Sequence, residues 1–522
     1  MTAASTNNTE LSEDGEPLAV AVAGPELKRE SSEPESSPTA RRLPPTPLLA
    51  TYVVTAFWAG LFTYLIWRRH DHFGTFAFDI SVYDQAVWLL SQGKSPFITV
   101  RGLHFFGFHA NIAMFAFVPA YWLGGGIHVL NIAQAVSLAA GAIPVHLIAR
   151  DRLGGSWFGF SAAAIYLLNP TIQWLVWETF HPESMAILPL LYAIWFALNH
   201  RWKAMGVALM LALLWKEDIA LSVTMFGIYL LVTNPKARRV GIAVMLAGLA
   251  WWQLTGKVLI AHFNQGSAFY TTWFGDLGSS ASEIAKTTIT QPSKVIPKFQ
   301  DPTSVNYAWE MLRPFGFIAL LAPWALMIAA PQVFVNTIAN QTFFRNYQAH
   351  YAAVPVVAIL WAFVEAVRLW GWKPSLRWGL VSAAILASLW SSYYSGMTPW
   401  STDAFAWAPE RSVFYDQQRA AVDTVPDDAS VSAIYNLNPH LAQREHIYEW
   451  PNPWIPRNWG NDDVANVPDP GIIEYIVVDR TLLGDTTDFF AELMADGDFE
   501  ILYDEGNQVV AQRVAGFAPL LE

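Results

Sequence analysis

Long apolar runs separated by short polar joints occupy most of this chain. The runs fall at about 48–67, 127–149, 156–173, 184–199, 204–215, 217–233, 240–261, 351–369 and 378–397. Because a helix needs roughly 20 apolar residues to cross about 30 Å of hydrocarbon, these runs predict membrane helices. Residues 314–349 predict two short helices broken near Pro331, and residues 106–124 predict helices within an outer loop. The pattern predicts an α-helical polytopic membrane protein with about ten to twelve membrane helices.

The two ends of the chain differ in composition from the apolar middle. Residues 1–47 are rich in Ser, Glu, Pro and Thr, and they predict a disordered tail because they bury too little apolar area to offset ordering. After Met397, short strand-like and helix-like stretches alternate, which predicts a small α/β domain over 398–522. The strand-like stretches are 429–434, 473–478 and 498–503, and the helix-like ones are 412–424 and 486–495. A membrane domain at 48–397 lies between tail and α/β domain.

Positive charges orient the predicted helices. Arg41 and Arg42 precede the first run, so the positive-inside rule places the tail in the cytoplasm. The later groups of Lys and Arg then also fall on the cytoplasmic side: Arg150 and Arg152, Arg201 and Lys203, Lys236, Arg238 and Arg239, and Arg368, Lys373 and Arg377. This topology predicts a multi-pass protein of the plasma membrane. Its large first loop at 68–126 and its α/β domain are expected to be extracytoplasmic. The same outer face is expected to carry the bend at 174–183, the joint at 215–218 and a long loop at about 262–313.

The composition of the chain limits the kinds of functional site and partner that it can have. Hydrophobic residues make up 53% of the chain and charged residues 14%, against roughly 25% charged in a typical soluble domain. Cys is absent, which excludes a disulfide framework, a thiol nucleophile and a thiolate metal site. The net charge of -12 argues against nucleic acid as a partner. No GxxxxGK[ST] motif is present, which argues against ATP-driven transport.

The first candidate site is the motif FDISVYDQ at 78–85, beside the first predicted span. Asp79 and Asp84 are five residues apart, so on one helix they would point about 140° apart. One carboxylate is therefore expected to face the site while the other caps or pairs, and Asp79 as a plain helix N-cap is the alternative. Gln85 completes the motif and is a candidate for binding substrate.

Two arginines just before this motif, Arg68 and Arg69, lie on the outer face, against the positive-inside pattern. Guanidinium groups bind phosphate oxygens in a bidentate manner, so an anionic lipid head group would explain the exception. The alternative is snorkelling of two arginines at a helix end.

Histidine and carboxylate side chains occur in two of the predicted outer loops. His109, His181 and Glu183 could bind a divalent metal ion or act as acid and base. Hydrogen bonding at the membrane interface is the alternative. A divalent ion is the one cofactor that these residue types suggest.

Two further polar groups interrupt apolar sequence. Lys216, Glu217 and Asp218 stand consecutively, which predicts a paired Lys–Glu unit supporting a site, or else a solvated outer turn. Arg345, His350 and Tyr351 lie near Asn336 and Asn340, and such side chains suit a sugar or a phosphate.

The order of these motifs resembles one family. FDxxxxDQ is followed by a His in the same outer loop, then FHPE, then WKED, then a Gln/His/Tyr cluster before a Pro-bearing span. The stretch VPDDASVSAIYNLNPHLAQREHIYEWP completes the likeness, which runs from about residue 50 to 510. The chain thus resembles the bacterial membrane-protein family catalogued as domain of unknown function 2079. That family is similar to the GT-C glycosyltransferases, which take a sugar from a polyprenyl-phosphate carrier on the extracytoplasmic face.

This resemblance implies roles for the candidate residues. Asp79 would be the catalytic base, with Asp84 second. Arg68, Lys216 and Arg345 would bind the carrier phosphate. His109, His181 and Glu183 would bind the acceptor or a metal. The implied function is inverting transfer of a sugar from the lipid-linked donor to an envelope acceptor.

Two other classes of function share some of these features. A transporter or flippase for a lipid-linked or anionic solute would have buried charges without needing a carboxylate base. A non-enzymatic membrane scaffold would carry dispersed outer-loop charges. Convergence of Asp79, His109, His181 and Lys216 on one outer cavity would favour the enzyme.

Overall fold

The computed structural model describes residues 45–264, 273–407, 414–460 and 467–514. Nearly all of the tail predicted at 1–47, and the first two residues of the helix predicted at 412–424, lie outside these ranges. The described part of the chain is mainly helical, with a small sheet towards its C-terminal end.

Short and long helices alternate through the first half of the chain. Two of them, those that start at Pro170 and Pro182, begin on a proline, whose fixed φ suits the first helical turn and whose missing N–H is not needed there. These helices are α1 (Thr46–Asp71), α2 (Val82–Ser91), α3 (Phe105–Phe108), α4 (Val118–Tyr121), α5 (Ile127–Ala140), α6 (Ala142–Leu153), α7 (Ser156–Leu168), α8 (Pro170–Trp177), α9 (Pro182–Leu198), α10 (Trp202–Leu213), α11 (Ile219–Thr233), α12 (Arg238–Leu254) and α13 (Ala261–Phe263).

The second half continues the helical pattern up to Ser395, and two short helices follow in the C-terminal region. Its helices are α14 (Ala281–Thr290), α15 (Pro292–Gln300), α16 (Pro302–Leu312), α17 (Pro323–Leu326), α18 (Ala330–Ile338), α19 (Ala353–Trp370), α20 (Pro374–Ser395), α21 (Tyr415–Asp423) and α22 (Thr487–Ala495). Pro331 lies in the first turn of α18, so the helical path changes close to the predicted break.

Four helical stretches of the described chain are long and apolar enough to cross a membrane. They are Thr46–Asp71, Ile127–Leu153, Pro235–Phe263 and His350–Trp370. The last is central, since 89% of its apolar window is buried, whereas the value for Pro235–Phe263 is 17%. Further apolar helices of 10–17 residues pack around them. The protein is therefore a multi-pass helical membrane protein, as predicted.

The segment between α12 and α18 differs from the sequence prediction. A long loop was expected at about 262–313, but α14, α15 and α16 occupy residues 281–312. The Ser280 side chain accepts a hydrogen bond from the backbone N–H of Glu283, and Asp301 caps α16 in the same way at Thr303. Ser280 and Glu283 have the spacing of a capping box, a local signal that the weak hydrophobicity of these helices obscured.

The first outer loop folds into short elements. A π-helical turn, Ala77–Ser81, runs directly into α2, and the strands β1 (Phe97–Ile98) and β2 (Leu103–His104) pair antiparallel. The helices predicted at 106–124 are present as α3, a 3₁₀ turn at Ile112–Phe117, and α4. The loop is therefore an ordered layer beside the membrane helices.

The C-terminal sheet has the strand order β4-β3-β5-β7-β6. Its strands are β3 (Val431–Ala433), β4 (Ile447–Glu449), β5 (Tyr475–Asp479), β6 (Phe499–Glu505) and β7 (Gln508–Arg513). β4, β3 and β5 are parallel, whereas β7 and β6 pair antiparallel. Apolar side chains of this sheet and of the first outer loop share one hydrophobic cluster, which fixes the α/β region against the loop.

Candidate active site

Asp79 lies on the π-helical turn before α2, half-buried at the wall of a cavity. Such turns widen the helix locally and are frequent at functional sites. Oδ1 of Asp79 lies 3.5 Å from Nε2 of His181. Burial, the largest single effect, would raise the pKa of Asp79, but the charge and hydrogen bond of His181 together with the charge of His350 outweigh it and lower that pKa. Asp79 is therefore an ionised carboxylate beside a histidine.

The bend between α8 and α9 supplies the second part of the site. Glu178 follows α8, and His181 stands at the N-cap of α9. Burial would lower the pKa of His181, but Glu178 and Asp79 together raise it to about 9. The His181 ring stacks on His350, with ring centroids 4.0 Å apart, and Nδ1 of His350 lies 2.9 Å from Oε1 of Glu178.

The joint between α10 and α11 supplies a buried cation. Lys216 forms an ion pair with Glu183 on α9. Burial would lower the pKa of Lys216, but Glu183, Asp218 and Glu217 outweigh it and hold that pKa above its usual range. The predicted pairing within Lys216–Asp218 was therefore wrong in its partner: Lys216 pairs with Glu183 of α9, because the fold brings that carboxylate to it, while Glu217 bonds to the first outer loop.

Glu217 and Asp218 have different roles in this joint. Glu217 accepts hydrogen bonds from Nδ1 of His109 at 2.7 Å and from the backbone N–H of Ala110 at 3.0 Å. The pKa of Glu217 is lowered, because His109 and these bonds outweigh burial. Burial raises the pKa of Asp218 to about 6.

Two cavities meet at these residues. A polar one of about 520 Å³ is lined by Asp79, His109, His181, Lys216 and His350, among others. An apolar groove of about 500 Å³ lies mainly along α14 and α18. Four residues line both: His109, Lys216, Trp273 and Tyr351. A charged compartment thus opens beside an apolar one, with Lys216 at their boundary.

Several predicted site residues lie away from the polar cavity. Asp84 is buried under Tyr121, whose O–H donates to Oδ1 of Asp84 at 2.6 Å, and burial raises the Asp84 pKa to about 7. Gln85 donates to Oγ1 of Thr99 at 2.8 Å and to the backbone carbonyl of Glu445 at 3.1 Å. Gln443 also donates to Oδ1 of Asp84, at 3.4 Å, so both Asp84 and Gln85 join the first outer loop to the C-terminal region.

The three predicted arginines, Arg68, Arg69 and Arg345, are not among the residues that line the polar cavity. Arg68 lines a separate open groove beside Trp67 and Trp407. Nε of Arg69 donates to the carbonyl of Gly74 at 2.7 Å, and its guanidinium lies over the Trp177 ring at 4.3 Å. Arg345 donates to the carbonyls of Thr337 and Ala339, both at 2.9 Å, so it supports the end of α18.

The cavity also contains residues that the sequence reasoning missed. Glu178 lies three residues before His181 in WETFHPE, and this spacing was a readable signal. Arg101, Asn458 and Gly460 line the same cavity. Nη1 of Arg101 donates to the carbonyl of Asn458 at 2.5 Å, so the C-terminal region forms part of the wall. Nothing local in the sequence connects residues 357 positions apart.

One group of three acidic or His side chains in the described residues has its ligand atoms within 4.8 Å of one another: Glu178, His181 and His350. Of the set predicted for a metal, it includes His181 alone. His109 bonds to Glu217, and Glu183 pairs with Lys216.

Two solved structures resemble this chain in fold. The crystal structure of ArnT from Cupriavidus metallidurans in the apo state superposes with a TM-score of 0.50 and 14% identity, covering 90% of this chain and 99% of that one. ArnT of the same organism bound to undecaprenyl phosphate gives 0.49 and 14%, covering 90% and 98%. No curated protein sequence matches the chain. At this identity the likeness concerns the fold alone, which is the GT-C fold predicted from the sequence.

A family described as "Predicted membrane protein (DUF2079)" matches residues 69–508. The match includes the π turn with Asp79, the bend with Glu178 and His181, the joint with Lys216, and the C-terminal sheet as far as Gln508. The chain therefore belongs to the DUF2079 family of membrane proteins.

Proposed function

We propose that this protein is a membrane glycosyltransferase that moves a sugar from a polyprenyl-phosphate carrier to an envelope acceptor, with inversion at the anomeric carbon. The observation that carries the proposal is the position of Lys216, which lines both the polar cavity of Asp79 and the apolar groove. A lipid-phosphate sugar needs these two environments side by side, because its chain is apolar and its head is charged. The GT-C fold supports the same class of enzyme.

In this proposal the prenyl chain lies along α14 and α18, and the phosphate lies at the boundary near Lys216. Apolar side chains of these two helices and aromatic rings from elsewhere in the chain line much of the groove, so it matches a hydrocarbon chain; the apolar helical residues are Ala281, Ile284, Ala285, Ile289, Phe334, Val335 and Ile338. Lys216 is held charged by Glu183, and it can share its ammonium hydrogens with a phosphate oxygen. The sugar then projects into the polar cavity.

Asp79 is the proposed base. Its carboxylate accepts the proton of the acceptor hydroxyl as that oxygen attacks the anomeric carbon. The new C–O bond forms on the face opposite the phosphate, the bond from carbon to phosphate oxygen breaks, and the lipid phosphate leaves with the electron pair. Because a phosphate is a good leaving group, the protein mainly has to position the reactants and offset charge.

The side of the membrane follows from the distribution of Lys and Arg. The positive-inside rule places the cytoplasmic ends of the helices opposite to the cavity, which is built from the first outer loop, the α8–α9 bend and the α10–α11 joint. The proposal therefore puts transfer on the extracytoplasmic face, where lipid-linked sugars and envelope acceptors meet.

The arrangement of charges supports an enzyme more than the other two classes. Asp79, His109, His181 and Lys216 all line one cavity, whereas a scaffold predicts dispersed outer-loop charges. A transporter or flippase has no need for a carboxylate at the polar end of a lipid groove.

The test is lipid extraction from cells that lack the gene, complemented with wild type, Asp79→Asn or the exposed control Asp276→Asn. We expect a polyprenyl-phosphate sugar to accumulate and an envelope glycan to be missing in the deletion strain and in Asp79→Asn, at equal protein level. Wild type and Asp276→Asn should restore both. An unchanged lipid and glycan profile in the deletion strain would contradict the proposal.

A further inference from the structure

We infer that Glu178, His181 and His350 form a binding site for a divalent transition-metal ion, of which Zn²⁺ fits best. Their ligand atoms all lie within 4.8 Å of one another. The three side chains come from two walls of the polar cavity, the α8–α9 bend and the 3₁₀ turn His350–Ala352 before α19. An ion there would connect these two walls.

The orientation of His181 is that of a metal ligand. Its Nδ1 lies 3.4 Å from the carbonyl oxygen of Thr179, so in the neutral imidazole, which is the form that binds a metal, the hydrogen is on Nδ1 and the lone pair is on Nε2. Residue His181 is 2% exposed, and its Nε2 makes no hydrogen bond within the described part of the chain, since Oδ1 of Asp79 is 3.5 Å away. Metal-bound histidines typically have their second nitrogen oriented by a carbonyl or carboxylate in this way.

Glu178 provides a second buried atom that lacks a partner. Its Oε1 lies 2.9 Å from Nδ1 of His350, while its Oε2 makes no hydrogen bond in the described residues. Buried polar atoms nearly always make a hydrogen bond, but Oε2 of Glu178 makes none, and Nε2 of His181 has only Asp79 nearby, at more than hydrogen-bond length. One cation would satisfy both.

The charge of the cavity favours a cation at this place. Asp79 and Glu178 line the cavity, and three more carboxylates surround Lys216: Glu183, Asp218 and Glu217. The Lys and Arg side chains near these five carboxylates are Lys216 and Arg101, which line the cavity, and Arg69, whose charge acts on Glu178 and Asp79. Carboxylates therefore outnumber Lys and Arg five to three where the proposed function needs a phosphate to bind, and a divalent ion beside Asp79 offsets that excess. This step alone rests on the proposed function, whereas the ligand geometry does not.

The chemistry of the three ligand side chains determines which metal ion they favour. Two imidazoles with a carboxylate suit Zn²⁺, whereas Mg²⁺ prefers oxygen ligands and retained water. Ligands about 2.1 Å from a tetrahedral Zn²⁺ are about 3.4 Å apart. Closing the cluster from 4.8 Å requires small rotations of the three side chains.

The experiment uses the purified full-length protein in detergent, stripped with a chelator and titrated with Zn²⁺, Co²⁺ or Mg²⁺. Bound metal is counted by elemental analysis after desalting, and Co²⁺ is followed by its visible absorption. The variants are His350→Gln and Glu178→Gln, with His262→Gln as a control because His262 is exposed and outside the cluster. No donor or acceptor is added, so the result is independent of sugar transfer.

We expect one Zn²⁺ per chain in wild type and in His262→Gln, and little binding of Mg²⁺. His350→Gln and Glu178→Gln should each weaken binding by more than about 100-fold. Zn²⁺ should raise the unfolding temperature of wild type and not that of the folded His350→Gln protein. An unaltered Zn²⁺ affinity in both cluster variants, or no bound Zn²⁺ in wild type, would overturn the inference.

Discussion

Oε1 of Glu217 lies 2.7 Å from Nδ1 of His109, and this contact fastens the first outer loop to the joint between α10 and α11. Oε2 of the same carboxylate accepts the backbone N–H of Ala110 at 3.0 Å. One side chain thus satisfies two groups from a segment 107 and 108 residues away. Its position makes Glu217 a support of the cavity wall.

We predict that Glu217→Ala lowers the free energy of unfolding by about 1–3 kcal/mol, because it leaves the buried N–H of Ala110 without an acceptor. Glu217→Gln should lose less, since its amide oxygen still accepts that hydrogen bond. Thermal unfolding in detergent measures both. Equal stability of Glu217→Ala and wild type would show that this contact does not hold the loop.

Lys216 and Glu183 should behave as a coupled pair. Lys216→Gln leaves the buried carboxylate of Glu183 without its cation, and breaking such a pair typically costs about 3–5 kcal/mol. Lys216→Gln combined with Glu183→Gln removes both charges, so it should recover much of that stability. Denaturant unfolding of the two single variants and the double variant measures the coupling.

Sugar transfer separates the two roles of Lys216. The double variant should remain impaired in transfer although its stability recovers, because the proposed phosphate-binding cation is still absent. Recovery of both stability and transfer in the double variant would remove Lys216 from phosphate binding.

Asp84 should make stability depend on pH. Its pKa in the folded protein is raised from 3.8 to about 7 by burial, so between these values the folded state binds a proton that the unfolded state has released. Its contribution is therefore complete below about pH 4 and is lost as the pH rises through about 7, with a slope of at most about 1.4 kcal/mol per pH unit. Asp84→Asn should reduce the slope with which the free energy of unfolding changes between pH 5.5 and 7.5, as measured by denaturant unfolding at several pH values. An unaltered slope would place the Asp84 pKa outside this range.

Gly102 should be intolerant of a side chain. Its φ is +64°, and an added Cβ would lie 2.2 Å from the Trp459 ring of the C-terminal region. Gly102→Ala should therefore destabilise the contact between loop and sheet by about 1–3 kcal/mol. Gly93→Ala is the matched control, since Gly93 has φ +67° but an added Cβ there would meet no atom within 4 Å. Limited proteolysis and thermal unfolding should show a larger loss of stability in Gly102→Ala than in Gly93→Ala. Equal losses would mean that backbone strain, and not the Trp459 ring, causes the destabilisation.

The sequence by itself determined the features that depend on local pattern. Hydrophobic length predicted the membrane helices, since a span needs its own run of apolar residues. Polar residues next to apolar runs indicated Asp79, His181 and Lys216, since ionisable residues at membrane depth are rare and usually functional. All three line the cavity. The motif order also indicated the GT-C fold, which the structural comparison confirmed.

Only the tertiary structure decided which polar side chains meet. His350 lies 172 residues from Glu178, and no periodicity carries information over that distance. The 140° separation on a helix said that Asp79 and Asp84 diverge, but not which of them faces the cavity. Packing of Tyr121 over Asp84 made that choice. The fold likewise decides that Arg345 bonds to backbone carbonyls, because the partner of a long side chain depends on which groups the fold places within its reach.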